Sequence, residues 1–170
     1  MKSSHVLFAL AVAVILPAIG CRPRSKEITS LQRKQAEQFI SEAQFAVTLR
    51  DYARAEDQLA KAVAVCPDMG DYWVSLGSVR VRLGQRAAAK TAYRSALAAF
   101  EDAVARNPKD EQSMLQQVSV LALLGRSDDA RALLAKLRDR LPDSRNIRVF
   151  VEQKQLDSLL VDPAFKEISL

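Results

Sequence analysis

Histidine is almost missing from this chain: a single residue, His5, stands among 170. Cysteine is nearly as scarce, with only Cys21 and Cys66, and the 5 glycines fall singly. A histidine-based nucleophile relay, a His/Cys zinc site and a haem-attaching CxxCH motif all need residues that are not there. No glycine-rich loop of the kind that cradles phosphate is visible. Carboxylates and lysines remain, without any recognisable catalytic spacing. The expectation is a non-catalytic chain that needs no metal and no cofactor. Basic residues outnumber acidic ones, 25 to 20. They are interleaved with the acids and lack the aromatic interleaving of a nucleic-acid surface, so nucleic acid is not expected as a partner.

Long apolar runs are also rare, and the one present is informative. Val6 to Leu16 is uninterrupted apolar sequence after the basic start of Lys2 and His5, and Pro17, Ala18 and Gly20 follow it. A basic start, a short greasy stretch and a small-residue end describe an export signal. The run is shorter than the roughly 20 residues that cross a bilayer. Residues 1–20 are therefore expected to be removed, which takes away Lys2 and lowers the formal net charge from +5 to +4.

Cys21 lies at the end of that signal. Ala18-Ile19-Gly20-Cys21 resembles the lipobox of bacterial lipoproteins, with Ala18 where the family prefers leucine. The resemblance implies cleavage before Cys21, diacylation of its thiol and usually acylation of the new amine. Several acyl chains on one residue anchor stably, at about 0.8 kcal/mol for each buried CH₂. With Cys21 acylated, Cys66 has no partner for an intramolecular disulfide. Residues 21–30 then form a tether in which Arg22, Arg24 and Lys26 face headgroups or solvent. By analogy with lipoprotein sorting in enteric bacteria, Arg22 in the place of an aspartate implies the outer membrane, facing the periplasm.

The remainder of the chain repeats. Phe39 and Trp73, Ala55 and Ala89, Ala62 and Ala96, and Pro108 and Pro142 are pairs separated by 34 residues. Three helix pairs can be superposed on that spacing. Trp73, Leu76 and Gly77 begin the second unit as W-V-S-L-G, Gly84 marks its turn, and Ala89 and Tyr93 follow as A-x3-Y. These residues resemble the tetratricopeptide repeat, whose period is about 34 residues. Small Gly77, Ala43, Ala89 and Ala96 allow close helix approach, while Trp73, Leu76, Tyr93 and Leu97 fill the space between helices. Gly84 and Gly125 suit the left-handed residue that ends a helix. Asp51 and Ser127 are candidate caps for the second helices of their units. Arg80 replaces the family's usual tyrosine.

The predicted fold is therefore all-α: a tetratricopeptide-type helix-turn-helix solenoid of about three repeats over residues 31–142, with capping helices over 143–170. The second unit departs from the period, because Ala89 to Ala130 and Pro67 to Pro108 each span 41 residues. The seven extra residues lengthen its second helix as A-A-F-E-D-A-V, making either a partner-binding spur or a core extension covering Phe100. Ser144 to Leu160 is expected as one further helix, with Ile147, Phe150, Val151 and Leu159 inward.

In the family, ligands usually lie in the groove lined by first helices. The resemblance carries that groove onto Ile40, Gln44 and Val47 of the first unit, Val74, Ser78, Val81 and Arg82 of the second, and Leu115 and Ser119 of the third. Arg82 is the charged side chain near the middle of a largely neutral strip. The strip lacks the Lys/Asn/Arg set by which some members grip a peptide carboxylate. The implied function is an adaptor that presents this surface to a protein or extended peptide in the cell envelope and reaches the membrane through its lipid anchor. Envelope assembly, secretion and pilus biogenesis are the settings implied. The alternative is an enzyme, or its accessory subunit, acting on cell-wall polymers; a convergent carboxylate pair in a deep cleft would mark it.

Overall fold

The computed structural model describes residues 28–170. The expected export signal, Cys21 and most of the tether lie outside those residues. Among the described residues all regular structure is helical. Three helix-turn-helix pairs follow one another: α1 (Ser30–Thr48) with α2 (Tyr52–Val65), α3 (Gly70–Arg82) with α4 (Arg86–Arg106), and α5 (Glu111–Leu123) with α6 (Ser127–Arg140). Three short helices complete the chain: α7 (Arg145–Glu152), α8 (Gln155–Val161) and α9 (Pro163–Lys166). Each of the first eight packs on its successor in the chain, which is the nearest-neighbour arrangement of a solenoid.

The same turn closes the first helix of every pair. Arg50, Gly84 and Gly125 have φ of 58°, 74° and 72°. Their amides donate to the carbonyls of Val47, Val81 and Ala122, and the next amides reach back to Ala46, Arg80 and Leu121. This double closure satisfies carbonyls that a helix end leaves open. At the other ends, Thr29 and Gln32 form a reciprocal capping box before α1, and Asp51, Asp110 and Ser144 accept from backbone amides of α2, α5 and α7. Ser127 does not cap α6. It is the first helical residue, and Arg126 precedes it without a side-chain cap while pairing with Asp129 at 2.6 Å.

Small residues set the spacing between helices. Ala43, Ala46, Ala55, Ala62, Ala89, Ala92 and Ala96 are essentially inaccessible. Two glycines have a stricter reason for being there. A Cβ on Gly77 would lie 2.3 Å from the Tyr93 ring, and one on Gly70 would lie 2.5 Å from the Phe100 ring. The long helix α4 uses both contacts. It has 21 residues against 14 in α2 and in α6, and its added turns bury Phe100 against the start of α3. The Phe100 carbonyl also accepts from the Gln117 amide on α5 at 3.2 Å. Phe100 is a core residue, so the extension does not project an apolar spur.

Two apolar clusters result. One joins α1, α2 and α3 through Ala43, Leu59, Val63, Leu76 and Val79, with Ala92 from α4. The larger one runs from α3 to α9 through Val81, Tyr93, Phe100, Met114, Val118, Leu137, Ile147, Leu156 and Phe165. Trp73 packs against both. It is half-buried rather than enclosed, and its indole N–H donates to the Pro67 carbonyl at 2.9 Å. Arg80 lies between helices as part of an ion pair, its Nε 2.9 Å from Glu56 on α2, with Gln85 donating to the other carboxylate oxygen.

The region expected as one helix after Ser144 is two. Lys154 has φ of 50°, which ends α7 and redirects the chain into α8. Ile147 and Leu156 are buried, while Phe150, Val151 and Leu159 are partly buried against the larger cluster. Pro163 then begins α9, whose first amides are held by the Asp162 carboxylate at 2.7 and 3.1 Å.

Candidate functional site

The nine groove residues do not share one environment. Ile40, on α1, is partly buried against the smaller cluster, whereas Gln44 and Val47 on the same helix are exposed. Val74, Val81 and Leu115 belong to the packing of the larger cluster, with Val81 at 9% exposure. Ser78 and Ser119 are half-buried, and their hydroxyls donate along their own helices to the carbonyls of Val74 and Leu115 at 3.0 and 3.3 Å. Arg82 keeps an exposed edge at the end of α3.

The surface between the ends of α3 and α5 is covered by the chain itself. Residues 163–170 return across it from the far side of the array. Phe165 is buried in the larger cluster, and Ile168 and Leu170 pack against the same cluster. The Tyr93 hydroxyl donates to the Ile168 carbonyl, and the Leu170 amide donates to the Leu123 carbonyl at 2.9 Å. Glu167 brings a carboxylate oxygen to 3.6 Å from the Arg82 guanidinium. Gly125 is needed for this approach as well as for its turn, since a Cβ there would lie 2.9 Å from the Leu170 carbonyl oxygen.

The groups that receive the segment are fixed by the repeats. Tyr93 rises from α4, and its ring lies against Gly77, which leaves the hydroxyl 3.4 Å from the Ser78 hydroxyl and within reach of Ile168. Burial pushes the Tyr93 phenol pKa up, so it remains a neutral donor at physiological pH. Arg82 lies 5.5 Å over the Tyr52 ring and donates to the Tyr52 hydroxyl at 3.2 Å. Both side chains are therefore oriented before anything is laid over them. Sequence reasoning placed Tyr93 between helices but missed its polar end. The one usable signal was Gly77, whose missing side chain opens the path to Ser78.

Carboxylates do meet elsewhere, around an open pocket of about 380 Å³ lined by Arg33, Asp68, Asp71, Phe100, Asp110 and Ser113, among others. Two of the three have structural partners. Asp68 pairs with Arg33 at 2.8 Å, and Asp110 accepts from the Ser113 backbone amide at 3.0 Å and hydroxyl at 2.7 Å. Those bonds to the charged form hold the Asp110 carboxyl below the usual range. Asp71 keeps an exposed edge, yet the surrounding protein removes enough water to raise its carboxyl. Among the described residues, no group of three His, Cys, Asp or Glu is placed to hold a metal ion. Cys66 is a buried free thiol, raised above its ordinary pKa by that burial.

Residues 81–145 match the tetratricopeptide repeat. The matched stretch runs from the end of α3 into α7, so it takes in one complete turn of each of the last two pairs. Tetratricopeptide repeats are protein-interaction modules, and that coarse role is what the match carries. The tetratricopeptide domain of Arabidopsis OM64 is a similar solved structure, at 14% identity and a TM-score of 0.42, over 75% of this chain and 98% of that one. No curated protein sequence matches the chain.

Proposed function

We propose that this chain is a non-catalytic adaptor: a protein-binding module on an exported bacterial lipoprotein that serves envelope assembly, secretion or pilus biogenesis. The observation that carries the reading is the peptide-like segment lying over α3 and α5. It is held by one buried aromatic side chain, hydrogen bonds at two main-chain positions and one ion pair. Main-chain bonds give affinity to many segments, and a few side-chain contacts select among them. The partner is a protein or an extended peptide.

The anchor belongs to the same reading. Acyl chains on Cys21 hold the module at the membrane, and the resemblance to sorted lipoproteins puts it at the outer membrane, facing the periplasm. Among the described residues no helix is long and apolar enough to cross a membrane.

The test uses the full chain in its own membranes, with a photo-crosslinking residue at Gln44, at Ser119, or at exposed Lys136 on α6. Gln44 and Ser119 are expected to capture a common protein, identified by mass spectrometry, and Lys136 is expected not to. The same adduct from all three positions would defeat the first-helix face as the working surface. For the anchor, Cys21→Ser should leave the membrane fraction and lose the acyl mass carried by wild type. Equal partitioning of the two, with no acyl mass on wild type, would defeat it.

A further inference from the structure

Residues 163–170 do more than close the end of the array. The apolar end of the last pair is covered by α7 and α8, through Ile147, Leu156 and the partly buried Phe150 and Val151. A cap has no need to travel further. This segment nevertheless runs back to the second unit, where Ile168 meets Tyr93, 75 positions earlier in the chain, and Glu167 meets Arg82. We propose that residues 163–170 are a displaceable intramolecular competitor, and that the partner taken by the α3/α5 face is a protein segment repeating their pattern. The pattern is an aromatic residue, an acidic residue two positions on, an aliphatic residue at the third and another at the fifth, as in Phe165, Glu167, Ile168 and Leu170. The proposal rests on the adaptor reading and names the partner class for that surface.

The two sides of this contact are built differently. On the receiving side, the Tyr93 ring lies against Gly77, and Arg82 is laid on the Tyr52 ring. Neither depends on the covering segment for its orientation. On the covering side, Phe165 is the one buried residue: α9 has only 4 residues, Ala164, Lys166 and Glu167 are exposed, and Ile168 and Leu170 are only partly covered. The Glu167 side chain retains 65% of its exposure while paired. Exposed pairs of this kind are weakened by solvent and salt. A preformed receptor under a lightly held segment is the arrangement in which a competing ligand meets only a fractional penalty, since its apparent dissociation constant is the intrinsic one divided by the open fraction.

Charge complementarity selects the partner. Arg82 is a cation at the edge of a mostly apolar surface, and its nearest opposite charge across the contact is Glu167. An incoming segment must supply an acidic group there and an aromatic group for the place of Phe165. It must also leave main-chain groups free for the Tyr93 hydroxyl and the Leu123 carbonyl.

The probe is a fluorescent synthetic peptide, DPAFKEISL, titrated into the full chain and followed by anisotropy. Wild type should bind it weakly, because the surface is covered. Phe165→Asp, which unseats the internal segment, should bind it about tenfold tighter or better, the gain set by the rise in the open fraction. Adding Arg82→Glu should remove that gain, and a peptide with arginine in the glutamate position should restore it. If Phe165→Asp loses cooperative melting, the segment is part of the folding core. Leu170→Asp then decides, and unchanged affinity in a folded Leu170→Asp protein overturns the proposal. Folded Phe165→Asp that binds no tighter than wild type overturns it equally. A concentration-dependent dimer joined through this segment would make the occupant a second copy, which also overturns the proposal as stated. Capture of a partner at Ser119 with no peptide binding would leave the adaptor reading standing and remove only this one.

Discussion

Arg50 occupies the position that Gly84 and Gly125 hold in the next two pairs, with the same hydrogen bonds and a φ of the same left-handed sign. A side chain in the left-handed region costs about 1–2 kcal/mol, and glycine is free of that cost while losing more backbone entropy on folding. The balance favours glycine. Arg50→Gly should raise stability by about 0.5–1 kcal/mol in urea denaturation, the size seen when backbone preference alone is corrected. Gly77 is the opposite case. Its φ is ordinary, but an added methyl meets the ring of Tyr93, a side chain with no exposed surface into which to retreat. Gly77→Ala should cost about 1–3 kcal/mol through overpacking, measured by the same method. It should also weaken any binding that uses the Tyr93 hydroxyl.

At the scale of elements, capping separates helix starts that tolerate change from those that do not. Asp110 serves the Ser113 amide and hydroxyl together, and these bonds favour its charged form. Its folded-state pKa is therefore lower than in the unfolded chain. The resulting stability is fully present above the ordinary aspartate value of about 3.9 and is lost as pH falls through the lower, folded value. Asp110→Ala should cost about 1 kcal/mol at neutral pH, within the range for lost caps. Thermal melts of the two proteins should converge as the pH is lowered past that window; a constant gap would show that the carboxylate charge is irrelevant to the cap.

Helix order was legible because each pair repeats the same physical solution: small residues at close approaches, a left-handed turn residue that is glycine in the second and third pairs, and a proline where the second helix has ended. The seven-residue lengthening of α4 was legible for the same reason, since it disturbs a fixed period by two helical turns. The break at Lys154 was not, because lysine is an ordinary helix former and its positive φ goes with a tertiary demand, the return of α8 and Leu156 onto the larger cluster. Ser127 was misassigned because a serine after a glycine turn fits either the cap or the first helical position. The covered α3/α5 face was hidden altogether. Ile168 and Tyr93, or Leu170 and Leu123, are joined by no repeat, and main-chain hydrogen bonds leave no trace in residue type.

Across the whole molecule, cohesion depends on how the two clusters are joined. The smaller cluster includes the end of the array where Leu31, Phe45 and Leu49 are exposed, whereas the larger one is continuous from α3 to α9. Trp73 is the side chain that packs on both, and its N–H ties α3 back to the Pro67 carbonyl before it. In a solenoid the stability of each unit adds to the coupling across its interfaces, so removing a bridging side chain weakens coupling as well as packing. Trp73→Ala should cost about 3 kcal/mol, the low end for large-to-small core changes because the indole is only half-buried. The loss should be uneven. Hydrogen exchange of the variant should show amides of α1 and α2 opening well before those of α4 and α5, while wild type opens the two regions more nearly together. Equal loss of protection throughout the chain would mean that the two clusters unfold as one unit and that Trp73 contributes only its own packing.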